Sequence, residues 1–266
     1  MTTATSAAAG GGGLERLLRR DLLVVLLGVA LLAVLAWAHV LRLADRMHAP
    51  EHMAMPMALA WGAADFAALF AMWAVMMAAM MLPSAAPMIL LFAATNRTRR
   101  RHQHPAAPTT LFVAGYLLAW SVYSALAASA QVALHNAALL SPMMVGTSRV
   151  LGGTLLIAAG LYQWTPLKRT CLSHCRSPLA FLSTEWREGA LGALRMGLKH
   201  GSYCVGCCWV LMALLFVGGV MNVLWVAAIA VLVLAEKLAP RGLWLGRVAG
   251  GVLAAWGVWL LNPESG

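Results

Sequence analysis

Seven stretches of this chain are apolar for long enough to suggest membrane crossings, some of them short against the roughly 20 residues that a hydrocarbon core of about 30 Å requires. They lie near residues 22–41, 66–92, 110–134, 147–164, 203–219, 223–238 and 243–261. A soluble fold has no way to hide so much apolar surface. With 62% hydrophobic and 11% charged residues and a mean hydropathy of +0.78, too few charged groups remain to coat a soluble core. In lipid the backbone must satisfy its own hydrogen bonds within each segment, which selects helices here. The expected fold is all-α, a polytopic transmembrane helix bundle of about seven spans. Residues 1–21 read as a disordered N-terminal tail with a cytoplasmic basic flank, 22–261 as a single transmembrane domain, and 262–266 as a short tail. The fifth and sixth spans are divided only by Gly218, Gly219 and Asn222, and without that turn signal the count falls to six.

A formal charge of +10 would suggest nucleic acid in a soluble protein, but here the basic residues occupy short segments between apolar runs. Basic residues gather on the cytoplasmic side of membrane loops. With the N-terminus inside, Arg16, Arg19, Arg20, Arg97, Arg99, Arg100, Arg101, Lys168, Arg169, Arg176, Arg187, Arg195, Lys199, Lys237, Arg241 and Arg247 fall inside, and Arg42, Arg46 and Arg149 outside. That imbalance predicts an N-in, C-out protein of a bacterial inner membrane, with no nucleic-acid partner. Arg16–Arg20, an apolar stretch and Ala36-Trp37-Ala38 also resemble a cleavable signal peptide, although the stretch is long for one.

No phosphate-cradling glycine loop, serine nucleophile elbow or paired-carboxylate site is visible, so no catalytic residues are assigned. The informative residues are the Cys, His and Met. The first outer loop carries Met47, His48, His52, Met53, Met55 and Met57, thioethers and imidazoles that suit copper and serve magnesium or calcium poorly. Contact with lipid or neighbouring helices is the plainer role for these methionines. The second span carries Met72, Met76 and Met80 on one stripe and Met77, Met81 and Met88 on the next, with Pro83 and Pro87. Methionine at helical spacing is ordinary core filling. The prolines also free carbonyls, which a membrane tolerates only against protein or a wet cavity.

All five cysteines fall on the inner side. Cys171 and Cys175 flank His174 in the segment before the fifth span, and His200, Cys204, Cys207 and Cys208 share one helical arc at the span's inner end. Thiolates and imidazole together select copper(I), zinc or an iron–sulfur cluster. Burial as small apolar groups would account for one cysteine of the arc, but not for Cys171 and Cys175 in a polar segment. Disulfides are disfavoured in a reducing compartment and would leave one cysteine over. Asp65 and Glu236 lie close enough to the interfaces to snorkel, and His135 reads as an interfacial histidine.

The strings Met72-Trp73-Ala74-Val75-Met76-Met77-Ala78-Ala79-Met80-Met81-Leu82-Pro83 and His200-Gly201-Ser202-Tyr203-Cys204-Val205-Gly206-Cys207-Cys208-Trp209, followed by Glu236-Lys237, resemble a bacterial domain-of-unknown-function family. Its members are described as predicted metal-binding integral membrane proteins, some labelled copper chaperones. The resemblance runs from the second span to the seventh and implies metal binding. The expected function is handling of a soft metal, foremost copper(I), by a transporter or membrane chaperone, with the bilayer, the ion and a metal-receiving protein as partners. A membrane thiol redox or iron–sulfur protein and a non-enzymatic assembly factor are the alternatives.

Overall fold

The computed structural model describes residues 6–47, 62–99, 106–137, 139 and 148–262. Among them every regular element is helical: α1 Ser6–Met47, α2 Ala63–Arg99, α3 Ala106–Asn136, α4 Arg149–Tyr162, α5 Pro166–Arg176, α6 Pro178–Glu185, α7 Gly189–Ala213, α8 Leu215–Gly218, α9 Val223–Leu238 and α10 Gly242–Leu261. Five spans among the described residues are long and apolar enough to cross a membrane: Leu23–Asp45, Ala63–Arg99, Pro108–Asn136, Gly189–Gly218 and Gly242–Leu261. Helices also occupy the fourth and sixth expected positions, but α4 has 14 residues and α9 has 16, short of the usual crossing.

Local capping explains where the boundaries fall. Ser148 caps α4 by accepting from the Leu151 amide at 3.3 Å. At the other end Thr165 accepts from the Lys168 amide at 3.3 Å and Pro166 opens α5, so a second helix begins directly beyond the apolar run that ends at Trp164. The fifth span begins at Gly189 rather than Tyr203, and the segment expected as a polar loop before it is α5 followed by α6. The turn signal between the fifth and sixth spans is real: Gly219 has a φ of 92°, and the Asn222 side chain caps α9 by accepting from the Trp225 amide at 3.2 Å.

Burial orders the bundle. The most apolar window of α2 is 61% buried, against 17% for α1 and 22% for α10, so α2 runs through the centre and the other two face outwards. Two pairs pack most extensively, α3 with α7 and α4 with α10, and both are closed by glycine. A methyl group at Gly197 of α7 would overlap the Phe112 carbonyl of α3, and one at Gly160 of α4 would stand 2.6 Å from the Gly250 carbonyl oxygen of α10. Small residues let membrane helices approach to backbone contact. One of the two prolines of α2 is accommodated by a donor from another helix. Pro83 leaves the Ala79 carbonyl without its helical donor, and the Trp37 indole of α1 donates to it at 3.1 Å.

Candidate metal centre

Because α3 lies against α7 at Gly197 and Gly201, Tyr116 of α3 reaches the cysteine face of α7. Its hydroxyl donates to the Met81 carbonyl at 3.2 Å and lies 3.1 Å from Cys204 Sγ. His200, Cys204, Cys207 and Cys208 are all buried, as one helical arc turned inwards requires. The start of α7 at Gly189 corrects the expectation that this arc begins at the helix end: His200 is in mid-helix, enclosed by the rings of Phe112, Tyr116 and Phe181 at centroid distances of 6.2, 5.9 and 5.4 Å. Its Nδ1 has no hydrogen-bond partner among the described residues, a costly state for a buried polar atom and one that metal contact would relieve.

Four thiols meet at this face. Cys175 of α5 reaches across to the sulfurs of Cys204 and Cys207, and Cys204 also neighbours Cys208. Cys208 donates towards Met81 Sδ at 3.9 Å, so sulfur runs from the partly exposed Cys175 through α7 to the central helix. Cys171 stands at the edge of this group. A methyl on Gly206 would lie 2.7 Å from its sulfur, and burial, then the neighbouring Cys207, pushes its thiol up. The Cys175 thiol is held well above its usual range, first by its hydrogen bonds to Cys204 and Cys207. Both therefore stay protonated at neutral pH until a soft ion displaces the proton.

The donor set suits a soft monovalent ion, but the thiols are turned to other partners. Cys207 and Cys208 donate to the Cys204 carbonyl at 3.1 and 3.0 Å. Among the described residues no group of three or more His, Cys, Asp or Glu is arranged to hold a metal ion. Loading would require these side chains to turn from backbone to metal. All five cysteines are free thiols.

Sequence reasoning missed the charges beside this group. The Lys237 ammonium lies 2.9 Å from Cys204 Sγ and 2.9 Å from the Ser84 hydroxyl. Glu236 next to it pairs with Lys168 at 2.6 Å, each side chain 2% exposed, and Arg176 donates to the Glu236 carbonyl. Burial overturns the snorkelling expected of Glu236. The available signal was an acid followed by a base inside an apolar run, and intramembrane ionisable residues are functional candidates. Nothing in the sequence singled out Tyr116 or Ser84.

The remaining expected ligands lie apart. Met72, Met76, Met77 and Met80 are buried along α2, the helix whose Met81 meets the Cys208 thiol. His174 bonds through Nδ1 to the Thr170 carbonyl at 2.8 Å and stacks on Tyr203 at 4.2 Å, outside the thiol group. His48, His52, Met53, Met55 and Met57 lie outside the described residues.

No curated protein and no solved structure matches the chain. A family model does: that of PpoB2, described as a copper chaperone, over residues 70–260. The match takes in most of α2 and continues through all but the last residue of α10, including every residue of the sulfur group and of the charges beside it. The chain belongs to this copper chaperone family.

Proposed function

We propose that this protein receives copper(I) and passes it on within a bacterial inner membrane, as a membrane chaperone for a metal-receiving protein or as a transporter. In this reading residues 22–261 form one transmembrane domain, α4 and α9 complete seven crossings as short spans, and the N-terminus lies inside. Copper is cargo here, and zinc or an iron–sulfur cluster is the weaker assignment for the same thiols. The observation that carries the reading is the run of sulfur from Cys175 through Cys204, Cys207 and Cys208 to Met81. Soft donors of this kind select copper(I), and weak thioethers next to thiols suit transfer better than permanent storage. Met72, Met76, Met77 and Met80 extend the thioether surface along α2, and the loop methionines and histidines between α1 and α2 serve as an outer collecting point. His200 offers its unpartnered Nδ1, while Cys171 and His174 border the route.

The test is metal analysis of protein purified in mild detergent, with copper, zinc and iron quantified together. Cys204→Ser and Cys207→Ser should each remove most of the bound copper, because serine keeps the size and replaces a soft sulfur by a hard oxygen. Full copper stoichiometry in folded serine variants overturns the reading. A thiol redox role is the second reading, favoured by the contact of Cys175 with Cys204 and Cys207. It requires activity that follows thiol oxidation state and persists in metal-free protein.

A further inference from the structure

The sulfur group shares its space with a cation that belongs to the protein. Lys237 is 6% exposed and no carboxylate pairs with it among the described residues, since the neighbouring Glu236 turns the other way to Lys168. Its ammonium faces Cys204 Sγ and Ser84 Oγ, each at 2.9 Å, and Cys207, Cys208 and Tyr116 are near enough to act on its charge. A buried charge must be neutralised by what surrounds it. Of the groups it touches, the hydroxyl of Ser84 supplies only a dipole, which leaves sulfur as the seat of compensating negative charge.

We propose that Lys237 is the specificity-determining residue of this site, a fixed positive charge that favours a monovalent soft ion over a divalent one. The inference rests on the copper reading above and deepens it. Inside the bundle a loaded site must approach neutrality. Beside the ammonium, a monovalent ion is neutralised by two thiolates, whereas a divalent ion requires three. The additional thiolate is hard to supply. Cys207 and Cys208 both donate to the Cys204 carbonyl, so recruiting each one breaks a hydrogen bond. A retained zinc also favours a tetrahedral shell of four ligands, and the ammonium covers one approach to Cys204. Without the lysine charge a divalent ion needs only two thiolates, and neutral ligands, His200 among them, can supply the rest of the shell.

The experiment compares copper(I) and zinc affinities, by competition with chelators, for wild-type protein and the Lys237→Met, Lys237→Gln, Lys237→Arg and Cys204→Ser variants in mild detergent. Lys237→Gln keeps a donor towards Cys204 and Ser84, so it gives a folded protein if Lys237→Met does not. The copper-to-zinc affinity ratio should fall by about tenfold or more in Lys237→Met and Lys237→Gln, as removal of a contact charge in a low-dielectric site implies, and Lys237→Arg should keep the wild-type ratio. An unchanged ratio in a folded neutral variant overturns the specificity role. If copper binding is nevertheless lost in Cys204→Ser, the copper reading stands without it. If Cys204→Ser keeps full copper binding, the copper reading itself fails.

Discussion

The helix pairs α3/α7 and α4/α10 are closed by the same device and enclose different chemistry. In each, glycines bring two backbones into contact. The first pair presents Tyr116, His200, Cys204, Cys207 and Cys208; α10 buries only glycines and Leu253. Close approach is thus a general means of building this bundle, and the sulfur group is a local addition to it. The division continues in α9. Glu236 looks towards Lys168 and is neutralised there by an ion pair, whereas Lys237, one residue on, looks towards sulfur. On one side of the helix the charge is paired with an opposite charge, and on the other it meets thiols.

The largest test of this contrast is to break the self-contained side. Lys168→Met leaves Glu236 buried without its partner and should destabilise the protein by about 3–5 kcal/mol, read as thermal unfolding in mild detergent. Lys168→Met combined with Glu236→Leu should recover most of that loss, because removing both charges also removes the desolvation penalty. If the double variant is as unstable as the single one, the pair is not self-contained and its partners reach further than Lys168.

The next test separates packing from chemistry. Gly197→Ala and Gly160→Ala each force a methyl group onto the backbone of the partner helix, and each should cost about 1–3 kcal/mol. Their effects on metal should differ. Gly197→Ala pushes α3 from α7 and moves Tyr116 from Cys204, so the protein that remains folded should bind less copper. Gly160→Ala strains a pair that presents no sulfur and should leave copper stoichiometry unchanged in the folded fraction. Equal copper loss in both variants would make the metal group a property of the whole bundle.

How much of this was legible beforehand follows from the range of the interactions. Helix positions depend on apolar run length, and helices stand at all seven expected places. The inward arc of His200, Cys204, Cys207 and Cys208 depends only on helical period, so it too could be read from spacing. The Gly219–Asn222 turn carried its own local signal. By contrast, the start of α7 at Gly189 was hidden because Arg195 and Lys199 interrupt the apolar run, although the helix continues through them. Tyr116 and Lys237 come to Cys204 from two different helices and Ser84 meets Lys237 from a third, and no short-range pattern encodes that meeting. Pro83 showed that a carbonyl would be freed, but not that Trp37 would take it.

The smallest expected effect lies at the edge of the sulfur group. Cys175 contacts Cys204 and Cys207 and is hydrogen-bonded to both, while Cys171 is placed against the Gly206 backbone with Cys207 as its nearest thiol influence. Cys175→Ser should therefore weaken copper binding several-fold, and Cys171→Ser by no more than about twofold, with little change in stability for either because serine conserves volume. The comparison is made at equal folded protein by copper titration against a competing chelator. If Cys171→Ser proves the more damaging substitution, the path into the site runs past Gly206 rather than Cys175, and the order of sulfurs from surface to α2 must be redrawn.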